Sequence, residues 1–435
     1  VKPIILFLQL FLTFSAFSSV KIQEELYIPG SGPEIVRDLV QSGSVIIDHV
    51  TSEGFEIYGD KGLARYLDSI NVPYLDIKAV KLKALADYPT SQQVADKIRA
   101  IVAKHPKIMK LVSIGKSVKG KELLFVKISD NVEKEEVEPE FKYISSMHGD
   151  EITGRELTTM LIEEIGDKYG KDSEITNLVN NTEIWIMPSM NPDGSDMRQR
   201  ANAKWSDLNR NFPDIISDSQ SDIKGREIET QAVMNFQASR QFSLSANFHG
   251  GTIVANYPWD SKYDAHPLDD LVKELSQEYS DRNPEMRSSD EFPGGITNGA
   301  AWYIVRGGMQ DWSYHWHNDL QLTIELSHQK WPSYSNIPAF YESNRDAMVH
   351  FMKQIHRGAG IKFNRDRVSG TVEILQTAPV RRSFGSYAFS GSEFYKVLPE
   401  GEYEFVVREK NKQENKLKVS VERDLITTNG RYVTL

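Results

Sequence analysis

Five apolar runs of strand length, at 123–128, 143–147, 183–190, 244–249 and 320–326, alternate with helical stretches that include 157–165 and 228–239. This alternation constrains the fold more than any other feature of the chain. A strand that is apolar on both faces must be buried on both, and helices between such strands provide the cover. The pattern predicts an α/β domain built on a mixed β-sheet flanked by helices. In such sheets ligands collect beyond the C-terminal ends of the strands, so chemistry is expected where these runs end.

The alternating region has recognisable borders. Asp87-Tyr88-Pro89-Thr90-Ser91 opens a helix that Thr90 or Ser91 can cap, and Val94, Ile98, Ile101 and Val102 share one of its faces. Upstream, 19–86 holds two similar stretches, 35–50 and 62–79, each reading as a short helix followed by a strand. They predict a small α/β domain, for which a pro-region is one role and production as a zymogen is left open. Downstream of 87–357, short alternating runs at 370–374, 403–407 and 417–421 predict a small β-sandwich over 358–435, with Leu398-Pro399-Glu400-Gly401 as a turn. At the start, Lys2 precedes an apolar run from Pro3 to Phe14 and then Ser15-Ala16-Phe17-Ser18. That is the pattern of a secretory signal over 1–18, too short to span a bilayer comfortably. A secreted or periplasmic protein is expected, with no stable membrane insertion once the signal is removed.

Composition narrows the chemistry. Lys and Arg number 51 against 61 Asp and Glu, a net charge of −10, which argues against a nucleic-acid partner. The absence of cysteine rules out disulfides and thiolate ligands, so a metal must be held by histidine and carboxylate. Two apolar runs lead into such residues: His148-Gly149-Asp150-Glu151 follows one, and Asn247-Phe248-His249-Gly250-Gly251 ends another. Two His and one Glu form a three-ligand set that leaves a position open for water, as catalytic zinc requires. A lone H-x-x-E is more often a surface histidine beside a solvated acid. Here it is accompanied by Asn191-Pro192-Asp193-Gly194, Asp207-Leu208-Asn209-Arg210-Asn211-Phe212 and Thr323-Ile324-Glu325-Leu326.

From about Tyr88 onward these motifs resemble the zinc metallocarboxypeptidases, and specifically their regulatory subfamily, which includes carboxypeptidases N, E and D. The resemblance implies the metallocarboxypeptidase fold, one Zn2+ ion on His148, Glu151 and His249, and hydrolysis of the C-terminal bond of peptides or proteins. It implies Glu325 as general base and acid, Arg200 as oxyanion stabiliser, and Asp207 as the acid behind the first ligand histidine. Asn209 and Arg210 match the pair that holds the substrate's terminal carboxylate, and Tyr303 the tyrosine that closes over bound substrate. Asp260 and Gln310 match the pocket that receives a basic side chain, so Lys or Arg is the expected residue released. A carboxypeptidase of broader preference, or an inactive peptide-binding protein on the same scaffold, are the alternatives. Phe394 to Tyr403 resembles part of the subfamily's transthyretin-like sandwich, whereas 19–86 departs from its usual plan. His315 and His317 bring no third ligand and are read as part of an aromatic, polar loop.

Overall fold

The computed structural model describes residues 20–77, 88–365, 368–410, 412–422 and 432–435. The signal over 1–18 and the expected junction near residue 86 lie outside the described residues.

A four-stranded antiparallel sheet comes first, from β1 (Glu24–Pro29), β2 (Val45–Thr51), β3 (Gly54–Gly59) and β4 (Leu75–Asp76), in the order β2-β3-β1-β4. The helix-then-strand reading of this region holds, but β1 and β3 are additions to it. The helix Ser91–Lys104 follows, and Thr90 closes a reciprocal capping box with Gln93.

Eight strands form the central sheet: β5 (Met109–Lys116), β6 (Glu122–Ile128), β7 (Glu140–Ser145), β8 (Glu183–Met187), β9 (Phe242–His249), β10 (Ile253–Tyr257), β11 (Ile296–Asn298) and β12 (Leu320–Leu326). Their order is β11-β10-β12-β9-β7-β8-β6-β5, and the inner strands β12, β9, β7 and β8 run parallel. The mixed sheet expected from the apolar runs is therefore present. Neighbouring residues of one strand feed opposite faces, as strand geometry demands. Tyr143, Ile184 and Ile186 join one hydrophobic cluster with Leu157, Leu161 and Met348; Ile144, Trp185 and Met187 join another with Val233, Met309 and Trp312. The first face is covered by helices Thr153–Lys168 and Ile337–Lys353, the second in part by Ile228–Ala238 and Met309–His317.

The C-terminal part is all β. A three-stranded sheet, β16-β13-β19, joins β13 (Gly358–Lys362), β16 (Glu393–Val397) and β19 (Tyr432–Thr434). A four-stranded sheet, β15-β14-β17-β18, joins β14 (Val368–Ala378), β15 (Arg382–Gly391), β17 (Gly401–Glu409) and β18 (Asn415–Val421). Phe394 and Val397 of one sheet share a core with Val372, Phe405 and Val407 of the other, giving a small sandwich.

Candidate active site

Strand register brings the site together. β12 lies parallel to β9 with Glu325 opposite His249, so the two chemical groups leave neighbouring strand ends side by side. β7 stops at Ser145, and the turn before helix Thr153–Lys168 carries His148 and Glu151. This turn packs tightly: a Cβ on Gly149 would meet the Gly194 carbonyl carbon at 2.1 Å. Gly149 N–H donates to the Arg200 carbonyl at 3.2 Å, and Asn191 donates to the Met147 carbonyl at 3.1 Å. The loop after β8 is thereby pinned to the histidine turn, and Arg200 arrives beside His148.

His148, Glu151 and His249 are buried and converge. His148 Nδ1 lies 2.9 Å from Glu151 Oε1, His249 Nδ1 lies 2.7 Å from Glu151 Oε2, and the two Nδ1 atoms are 3.1 Å apart. Two like ring nitrogens turned toward each other and toward one carboxylate call for a cation among them. Two imidazole nitrogens and a carboxylate suit zinc and leave a coordination position free. On the far side of its ring, His148 Nε2 meets Asp207 Oδ1 at 2.9 Å, which fixes the tautomer that turns Nδ1 to the site. Asp207 also caps the short helix Leu208–Arg210 through Asn209 N–H, so it is both a cap and the partner of the histidine. The residues present fit the metal.

Around this donor set one pocket collects Arg200, Asn209, Arg210, Asp260, Tyr303, Gln310 and Glu325. Glu325 is buried, and burial raises its carboxyl well above the usual carboxylate range, helped by the charges of Glu151 and Asp48. Among the described residues its Oε2 has no hydrogen-bond partner. Arg200 donates to Asp207 at 2.9 Å and to Glu151 at 3.2 Å. Arg210 is half-buried at the mouth, and Asn209 Oδ1 is held by Met309 N–H at 2.9 Å. At the pocket floor the Asp260 carboxylate accepts from Gln310 and from Asn256. A Cβ on Gly299 would lie 1.8 Å from Asp260 Oδ1, so glycine there makes room for the acid. Burial, then the nearby Asp311, push Asp260 up to about 8.

Some residues at the site were not anticipated from the sequence. Asp48, from β2, occupies the mouth of the pocket. Its Oδ2 accepts from Arg200 and from Lys330, each at 2.7 Å, and its Oδ1 accepts from the Tyr303 hydroxyl at 2.8 Å. Arg210 donates to the Ile47 carbonyl at 3.2 Å, and Trp302 to the Val50 carbonyl at 2.9 Å. The signal was available: Asp48 is an acid at the end of the apolar run Val45-Ile46-Ile47, the same anomaly that marked Glu325. Lys330, Asn256 and Asp311 carried no comparable mark. One sequence reading is corrected. His315 and His317 do not lie in a loop but in the last turn of helix Met309–His317, where His317 packs on Trp312 at 4.7 Å between ring centroids. The preceding Gly307-Gly308 disguised the helix start, which Gly308 caps in extended conformation.

Comparison with known proteins agrees with this geometry. The family model described as "Zinc carboxypeptidase" matches residues 94–347. Human carboxypeptidase D is 43% identical over 286 residues, 60% of this chain but only 20% of that protein. Carboxypeptidase E of Caenorhabditis elegans is 35% identical over 384 residues, 74% of this chain and 80% of its own length. Among solved structures, carboxypeptidase A from Helicoverpa armigera superposes with a TM-score of 0.59 at 15% identity, over 77% of this chain and 98% of that one. That likeness is one of fold. With the motif matches and the buried donor set, these similarities place the chain in the zinc carboxypeptidase family, in the regulatory branch that includes carboxypeptidases D, E and M.

Proposed function

We propose that this chain is an exported metallocarboxypeptidase that removes a C-terminal Lys or Arg from peptides or proteins. The observation that carries this reading is one pocket lined both by His148 and His249 of the two-His, one-Glu donor set and by the buried Asp260. His148, Glu151 and His249 would hold zinc, which when bound would supply Lewis-acid chemistry to a carbonyl and to water. Arg210 and Asn209 hold the terminal carboxylate, for which a guanidinium fork is suited. Arg200 points its charge at the carbonyl oxygen. Glu325, which lines the same pocket, takes a proton from the attacking water and passes it to the leaving amine. Tyr303 closes over the substrate.

Asp260, buried beside Gln310 and Asn256, receives the basic side chain. The domain at 19–86 acts as a pro-region, because its Asp48 sits on the groups that substrate must reach. The apolar run from Pro3 to Phe14 supports export. Among the described residues no helix is long and apolar enough to cross a membrane.

The test is hydrolysis of blocked dipeptides that differ only in their last residue. Lys and Arg substrates should be preferred over Leu and Phe, and Asp260→Ala should abolish that preference, at a cost of about 2–5 kcal/mol in kcat/KM for the basic substrates. The sign with pH follows from the raised carboxyl. Below about 8, Asp260 must give up a proton before it can pair with the cation, so the Lys-to-Leu ratio should rise with pH through that region. An Asp260→Ala enzyme with an unchanged Lys-to-Leu ratio points instead to a carboxypeptidase of broader preference.

A further inference from the structure

Lys330 is a buried lysine, its side chain only 6% exposed, at the rim of the metal site. Among the described residues its ammonium donates to the N-terminal domain: to Asp48 Oδ2 at 2.7 Å, Glu56 Oε2 at 2.6 Å and the Tyr58 hydroxyl at 3.0 Å. In the catalytic domain it faces the ligand Glu151, at 3.7 Å, and its charge also acts on Glu325. Its mounting is rigid. The Lys330 carbonyl accepts from Ile152 N–H at 3.0 Å, next to Glu151 in the chain. Its stem lies over Gly251, two residues past His249, where a Cβ would come within 3.1 Å of Lys330 Cε.

The Asp48 carboxylate reveals what this ammonium can reach. Arg200 and Lys330 each donate to the same oxygen, Oδ2, at 2.7 Å, while Tyr303 donates to the other at 2.8 Å. Three donors fixed on separate loops converge on one small anion. Two of them already have roles on substrate in the reading above, so the anion marks a place where a substrate oxygen sits. An ammonium is compact and has three donors. On losing Asp48, Glu56 and Tyr58 it would keep the Glu151 carboxylate 3.7 Å away but give up these three acceptors, whose place a substrate oxygen can take.

We propose that Lys330 is a second cationic donor to the reacting carbonyl: once the hairpin β2–β3 withdraws, its ammonium joins Arg200 on the oxygen that gains charge as water attacks. The inference rests on the carboxypeptidase reading. In the simpler alternative, Lys330 only clasps the N-terminal domain.

The test uses the zinc-loaded full chain carrying Asp48→Ala, alone and combined with Lys330→Met, Lys330→Gln or Lys330→Arg. kcat and KM are measured on a blocked dipeptide ending in Arg. Affinity for the phosphonate analogue of that dipeptide, whose anionic oxygens imitate the charged carbonyl, is measured by calorimetry. Lys330→Met should lower kcat about 100-fold with little change in KM, because the contact strengthens only in the transition state. It should weaken the phosphonate by a similar factor, and Lys330→Arg should recover most of both losses. Lys330→Gln gives the same reading if the methionine variant does not fold. If the neutral variants stay within about twofold of Asp48→Ala in kcat and in phosphonate affinity, the inference is overturned and Lys330 is a clasp only. If the Asp48→Ala chain binds zinc and phosphonate yet cleaves no dipeptide, the carboxypeptidase reading fails, and the phosphonate affinities still decide the role of Lys330.

Discussion

Glu325 and Asp48 are both acids set into apolar strands, and their surroundings push them in opposite directions. Burial and two neighbouring carboxylates raise Glu325. Burial also opposes charge on Asp48, but Arg200 and Lys330 outweigh it and keep Asp48 ionised well below the usual carboxylate range. One is thereby biased toward its protonated form and the other toward pairing with cations. Glu325→Gln keeps the size and hydrogen-bonding reach of the side chain but cannot take a proton. It should leave zinc content and fold intact while lowering kcat by at least about 100-fold, measured on a blocked dipeptide. Near wild-type kcat would remove Glu325 from the proton path.

At the scale of elements, the central sheet was legible because its strands are apolar on both faces and end in chemistry. β12 and β9 were read nearly to their limits, and their register then set Glu325 against His249. Strand ends were read less well. The runs 143–147 and 183–190 include loop residues past Ser145 and Met187, since buried loops at a site are as apolar as the strands that lead to them. The edge strands β5 and β11 and the half-exposed β15 leave no clear apolar run in the sequence because their polar faces dilute the pattern. The site residues that sequence supplied, from His148 through Glu325, meet around one pocket or directly behind it, as Asp207 does. What it did not supply was the pairing of Asp48 and Lys330, which are 282 positions apart and meet only because two domains dock.

On the proposed reading that docking governs the molecule as a whole. The hairpin β2–β3 binds Arg200, Arg210, Tyr303 and Lys330, the cations and hydroxyl to which the proposals above give roles on substrate. Asp48→Ala leaves two buried cations without their shared partner, and breaking such an arrangement costs about 3–5 kcal/mol. The open form should gain population accordingly. Activity of the full zinc-loaded chain on a blocked dipeptide should rise at least about tenfold over wild type, well within that range. Equal activities would mean that the hairpin does not limit access.

One measurement bears on the whole reading at once. The zinc-loaded chain carrying Asp48→Ala is given a peptide ending in Lys, with its C-terminal carboxylate either free or amidated, and the products are weighed by mass spectrometry. The free peptide should lose its last residue and nothing else before the next slow step, a chelator should stop the reaction, and the amidated peptide should survive because Arg210 and Asn209 have no carboxylate to hold. Cleavage inside the peptide, equal cleavage of the amidated form, or no cleavage with zinc bound would contradict a metallocarboxypeptidase.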